Sequence, residues 1–266
     1  MAGQLANKRC LIVGATSGIG WAAAKRFLEE GAQVAVNGFD DPGSKPVSVA
    51  LYEATGRTPL SANCDVRDGK QVDKLFKFVL SVFGGLDVLY HVAGGSGRKD
   101  GDGPLHECTD SGWQATLDLN LTSTFLTNRA AVRHFLAHKQ PGAILNMASV
   151  LALAPSPQYF DTCAYAAAKA GIIGMSRLAA ARYAPDGIRV NVIAPGLIDT
   201  PMAQRAVHDD AIRAYLRTKQ PLAGGPGLAD DCAGAAVYLC SDAARLVTGV
   251  VLPVDGGWSV SEGQHA

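Results

Sequence analysis

The chain has 266 residues, 48% of them hydrophobic, and its 24 Lys plus Arg are balanced by 24 Asp plus Glu. That composition supplies one large core. A nucleic-acid groove or an anionic-membrane anchor needs a basic imbalance, and none is present. No apolar stretch reaches the roughly 20 residues of a membrane span, and the few residues before CLIVGA leave no room for a signal peptide.

Six scattered cysteines (Cys10, Cys64, Cys108, Cys163, Cys232 and Cys240) show neither CxxC nor CxxH spacing. They read as reduced thiols of a cytoplasmic protein, and no metal site is expected. His134 and His138 stand one helical turn apart without a third ligand nearby, which favours a structural role.

In chain order, short β-rich runs alternate with helical ones. RCLIVG (9–14) predicts a strand, and GIGWAAAKRFLEE (18–30) a helix stopped by Gly31. AQVAVN (32–37) is a second strand, followed by a weaker helix between Pro46 and Gly56. TPLSANCDV carries the third strand, and KQVDKLFKFVLSVF (70–83) has helical periodicity. LDVLYHVA (86–93) is the fourth strand, and GGSGRKDGDGP (94–104) a glycine-rich charged loop. A long helix is predicted over 112–138, then a strand in GAILNMAS (142–149) and a helix around Tyr165. IRVNVIAPG (188–196), helices near 202–218 and 228–240, and a last strand in VTGVVLPV (247–254) follow. The alternation predicts an α/β fold: a doubly wound parallel sheet of about seven strands, helices on both faces, in a single domain over 1–266.

Two motifs carry chemistry. LIVGATSGIG (11–20) sets Gly14, Gly18 and Gly20 between the first strand and the first helix. Without a Cβ the backbone can turn tightly there and approach a pyrophosphate, which meets the positive end of the helix. In DTCAYAAAKAG (161–171), Tyr165 and Lys169 share one helix face. Alone, such a pair is a surface phenol and a solvated amine. Beside a dinucleotide turn it is a proton donor and acceptor with a cation that favours phenolate, so the phenol is expected below its ordinary value of about 10.

Together these motifs resemble the short-chain dehydrogenase/reductase family, whose fold is the Rossmann type. The likeness spans nearly the whole chain: Asp65 in CDV, VAG at 92–94, Asn120 in LDLNLTS, Ser149 in NMAS, and APGLIDT at 194–200. It implies a catalytic set in which Tyr165 is the general acid/base and Lys169 tunes it and holds the nicotinamide ribose. Ser149 orients the substrate oxygen and Asn120 supports a proton relay. The implied cofactor-binding set is Gly14, Ser17, Gly18, Ile19, Gly20, Phe39, Asp65, Val66, Ala93, Gly94, Tyr165, Lys169, Pro195, Gly196, Ile198 and Thr200. Within it Asp65 meets the adenine, and Ile198 and Thr200 the carboxamide. Strand two ends in VNGFDDP. Phe39 and Ser17 stand where NADP-binding relatives carry cations, and Asp40 and Asp41 follow, so NAD is expected rather than NADP.

The expected activity is hydride transfer between NAD and a secondary alcohol or ketone. The alternatives are a 3-oxoacyl-thioester reductase using NADP, and a non-catalytic dinucleotide-sensing protein. The resemblance also implies a homotetramer that packs through the 112–138 helix and the last strand. Ser149 and Tyr165 are 16 apart, a longer spacing than is usual in the family, and HVAG (91–94) replaces the usual Asn-Asn-Ala-Gly. The segments 95–104, 151–160 and 202–220 should frame the pocket, with about 195–220 as a lid. Leu153, Tyr159, Phe160, Met202 and Tyr215 favour an apolar or cyclic substrate, while Arg98, Lys99 and Asp100 read as solvated charges.

Overall fold

Apolar runs of four to eight residues, buried on both faces, are the signature of a parallel sheet, and five of the seven strands follow it, the half-buried edge strands at either end of the sheet being the exceptions. The seven strands are β1 (Arg9–Val13), β2 (Gln33–Asn37), β3 (Leu60–Ala62), β4 (Val88–His91), β5 (Gly142–Met147), β6 (Ile188–Pro195) and β7 (Val251–Val254). In the computed structural model, which describes residues 3–39 and 45–263, all seven pair parallel in the order β3-β2-β1-β4-β5-β6-β7.

Alternate strand residues feed opposite layers. Cys10, Ile12, Val34, Val36 and Tyr90 pack under α1 (Gly18–Glu29), α2 (Val47–Thr55) and the much later α10 (Ala229–Cys240). Leu11, Val13, Ala35, Leu89 and Ile144 pack under α3 (Gly69–Phe83), α5 (Ser123–His138) and α7 (Cys163–Tyr183). The doubly wound prediction holds.

The boundaries differ in instructive ways. The helix predicted over 112–138 begins at Asp110 as α4 (Asp110–Leu117), widens into a π turn at Asp118–Thr122, and continues as α5. Around the π turn side chains take over carbonyls: Asn120 Nδ2 donates to Thr116 O (2.9 Å), Ser123 Oγ to Leu119 O (2.6 Å) and Thr124 Oγ1 to Asn120 O (2.6 Å). Such back-bonding competes with the helical ladder, and π turns mark functional positions. The loop after Ser149 holds a 3-10 turn (Val150–Ala152) and α6 (Pro157–Phe160). The helix predicted near 202–218 divides into a 3-10 turn (Pro201–Ala203), α8 (Gln204–Val207) and α9 (Asp210–Lys219). Asp209 makes the break by accepting the Ala211 and Ile212 amides at 2.9 and 3.0 Å, an N-cap that starts a new helix. No helix among the described residues is long and apolar enough to cross a membrane.

Candidate active site

Strand order reverses between β1 and β4, and their carboxyl ends part to leave a crevice. The glycine turn sits there. Gly14 has φ +84°, and a Cβ on it would lie 2.6 Å from Ala93 N; one on Gly20 would lie 2.0 Å from Gly14 O. Close packing requires both glycines, and at Gly14 the positive φ does so as well. The crevice opens into a cleft of about 630 Å³ that takes in every predicted cofactor-binding residue from Gly14 to Thr200, together with Ser149, Tyr165 and Lys169.

Each end of the cleft has its own chemistry. Phe39, 61% exposed, forms part of the wall after β2; Asp40 and Asp41 lie outside the described residues. Asp65 lines the cleft, but Arg67 forks onto its carboxylate (2.8 Å from Nη2, 3.0 Å from Nε), and that hydrogen bonding holds the carboxyl below its ordinary value. Arg67 also lines the cleft, a cation that the sequence reading did not count. At the other end, Thr200 packs against Gly18, its Cγ2 3.0 Å from where a Cβ would stand, and its hydroxyl donates to Ile198 O at 3.4 Å. Buried Gln220 fixes the Pro195–Gly196 turn: it accepts Leu197 N at 2.9 Å and donates to Leu197 O at 3.0 Å. Nothing in the motif pattern points to this glutamine 23 positions downstream.

The catalytic candidates come from three elements. Ser149, two residues beyond β5, is buried and accepts Leu151 N at 3.2 Å. Tyr165 and Lys169 sit one turn apart on α7, with the Lys169 Nζ 5.4 Å from the phenol ring centre. Lys169 is 2% exposed and donates to Met147 O at 3.0 Å. Asn120 is the one predicted catalytic residue that does not line the cleft. Fully buried in the π turn, it accepts Gly95 N (3.1 Å) and donates to Gly95 O (2.9 Å). Its Oδ1 and Lys169 Nζ converge on Gly94, at 2.6 and 3.1 Å from a Cβ there. Asn120 therefore reaches the catalytic pair through the backbone of 94–95.

The electrostatics correct one expectation. Burial pushes the Tyr165 phenol up, with the Ser149 hydroxyl drawing it partly back, and burial alone lowers Lys169 to about 7. Desolvation, which penalises charge on both partners, outweighs the attraction of the neighbouring charge here. Ala164 and Ala168 are fully buried, which lets α7 pack closely against its neighbours. His91, standing in place of the usual Asn, is fully enclosed between Thr127 Oγ1 (2.8 Å) and Ser123 Oγ (3.3 Å). Burial first, and then Lys169, lower its pKa to about 3, so it stays neutral and ties β4 to α5.

One residue missed in the sequence organises the site. Asp102, in the loop after β4, is 5% exposed and accepts Ala164 N and Tyr165 N, both at 3.0 Å. A carboxylate at a helix start satisfies orphan amides and the dipole together, and Thr162, the residue just before α7, makes no side-chain cap. Cys108 and Cys163 gather beside Asp102 with donor atoms within 4.8 Å, although no sequence spacing links them.

The substrate end is lined by Leu151, Phe160, Met202 and Trp258. Leu153 is instead 41% exposed. Tyr159 and Tyr215 meet as a tilted pair beside this wall (ring centres 5.1 Å apart, planes at 50°), with Tyr215 edge-on to Trp258 at 5.9 Å. Of the loop charges only Arg98 lines the cleft, and Arg205 joins it.

A family model described as enoyl-(acyl carrier protein) reductase matches residues 14–259. Among curated proteins, the 3beta-hydroxysteroid dehydrogenase 1 of Eggerthella lenta is 37% identical over 98% of this chain and 97% of its own length. The cis-4-hydroxycyclohexanecarboxylate dehydrogenase of Sinomonas cyclohexanicum is 37% identical over 97% and 99%. A solved structure from Agrobacterium tumefaciens with bound NADP, described as a candidate 2-deoxy-d-gluconate 3-dehydrogenase, superposes with TM-score 0.84 at 31% identity, covering 96% of this chain and 97% of that one. The chain belongs to the short-chain dehydrogenase/reductase family, and with it to the oxidoreductases that act on alcohol or ketone substrates with a nicotinamide cofactor.

Proposed function

We propose that the protein is an NAD-dependent oxidoreductase acting on a cyclic secondary alcohol or its ketone. The observation that carries this is the meeting of Ser149, Tyr165 and Lys169 in the same cleft as a glycine turn whose absent Cβ atoms leave room for a dinucleotide. The nicotinamide, when bound, supplies or accepts the hydride. Tyr165 holds the proton for the substrate oxygen; burial keeps its phenol neutral near pH 7, the form that donates to a ketone. Ser149 donates a hydrogen bond to that oxygen as charge develops. Lys169, anchored on Met147 O, holds the ribose and steadies the phenol, and Asn120 supports its proton supply through Gly94–Gly95. Gly14, Ser17, Gly18, Ile19 and Gly20 cradle the pyrophosphate, Asp65 and Val66 border the adenine, and Ala93 and Gly94 floor the cleft. Ile198 and Thr200 take the carboxamide beside the Pro195–Gly196 turn.

NAD is favoured because Phe39 and Ser17 offer a 2′-phosphate no cation, and Arg67 is committed to Asp65. A ring substrate fits the wall of Leu151, Phe160, Met202 and Trp258, and the two curated relatives are named for hydroxyls on rings. Residues 195–220 form the lid. The second reading, a 3-oxoacyl-thioester reductase, is favoured by the likeness to the 3-oxoacyl-[acyl-carrier-protein] reductase of Chlamydia trachomatis, 35% identical over 97% of this chain and 99% of its own length.

The test is oxidation of NADH and NADPH by the purified protein against cyclic ketones and 3-oxoacyl thioesters. The expected result is NADH-linked ketone reduction at least about tenfold better than with NADPH, roughly 1.4 kcal/mol of discrimination. NADPH-linked thioester reduction establishes the second reading instead. Dinucleotide binding without turnover of any substrate leaves a sensing protein. We also expect a homotetramer assembled through α4, α5 and the β7 edge; sedimentation at a monomer mass would refute it.

A further inference from the structure

We propose that Arg98 and Arg205 form an anion subsite at the substrate end of the cleft, and that the ring substrate carries a carboxylate. The proposal rests on the alcohol/ketone reading and specifies its substrate class. The two arginines come from distant parts of the chain, Arg98 from the 3-10 turn after β4 and Arg205 from α8. They nevertheless converge on one acceptor: Nη2 of Arg98 lies 3.4 Å and Nη2 of Arg205 3.2 Å from the Tyr159 carbonyl oxygen. Both line the cleft that contains Tyr165 and Ser149.

Two guanidinium groups this close repel each other, and Arg98 registers the repulsion: burial and then the charge of Arg205 lower its pKa. Carboxylates are near but do not neutralise the pair. Asp102 is committed to the α7 amides, and Asp161 attracts Arg98 without an ion-pair contact. Among the described residues neither arginine has a salt bridge, and each uses a single donor on Tyr159. A guanidinium has five N–H donors in a planar fork, and the planar group that satisfies such a fork is a carboxylate. Two solvated arginines at a cleft mouth would ordinarily spread apart. These two are gathered on one carbonyl beside the apolar wall of Phe160 and Met202, which suits a ring with an acidic substituent.

The experiment compares 4-oxocyclohexanecarboxylate with its methyl ester as substrates of the wild type, R98A, R205A and the double variant, with both nicotinamide cofactors. For these partly exposed charges the expected acid-to-ester ratio of kcat/KM is about 10-fold or more in the wild type and falls toward one in the double variant. A parallel calorimetric titration uses cyclohexanecarboxylate and cyclohexanecarboxamide, so the subsite is read without turnover. Tighter carboxylate binding that disappears in the double variant supports the subsite even if no ketone is reduced, which would then count against the catalytic reading alone. Equal binding of acid and amide by the wild type overturns the subsite, as does a preference that survives loss of both arginines.

Discussion

Tyr165→Phe is expected to lower kcat/KM by about 10²–10⁴-fold, the range for loss of a positioned general acid, while the Kd for NADH moves by less than about twofold. The substitution removes one oxygen and leaves the ring that faces Lys169, so the cofactor contacts of the glycine turn and of Ile198–Thr200 persist. Burial raises the phenol above its ordinary value, and that fixes the sign of the pH dependence. Ketone reduction, which uses the neutral phenol, holds as pH rises until the phenol ionises; alcohol oxidation, which uses the phenolate, climbs with pH. Steady-state rates in both directions with a fluorescence titration of NADH check all of this. A variant that keeps more than about a tenth of wild-type turnover removes Tyr165 from the chemistry.

Lys169→Met is expected to cost about 10²-fold or more in kcat and, separately, to change how stability depends on pH. Lys169 falls from an ordinary 10.5 to about 7 because burial penalises its ammonium. Between those values the unfolded chain binds more protons at this position than the folded one, so the wild type gains stability as pH rises through that window and loses it as pH falls toward 7. Methionine has no proton to bind. The unpartnered Met147 carbonyl costs the variant a pH-independent amount of roughly 1–3 kcal/mol. The difference in Tm, variant minus wild type, should therefore be greatest near pH 6–7 and shrink steadily toward pH 10. Calorimetry across that range reads the slope directly, and a difference that does not change with pH would show that Lys169 keeps its charge in the fold.

Much of this molecule is written in local patterns. β1, β4, β5 and β6 are apolar runs that only a sheet covered on both faces can bury, and the Gly14–Gly20 turn and the Tyr165–Lys169 spacing are short-range geometries that any helix or strand–helix turn reproduces. Those features, and with them the fold class and the family, are determined by the sequence itself because backbone periodicity and glycine stereochemistry act over a few residues. Asp102 reaching Tyr165 N, Gln220 holding Leu197, and Arg98 meeting Arg205 at Tyr159 O join residues 63, 23 and 107 positions apart in a chain of 266. No local rule encodes such meetings. The same is true of the protonation states of Tyr165 and Lys169. Those follow from how many atoms surround each group, and desolvation is a property of the packed interior that comes into being only when distant segments close around it.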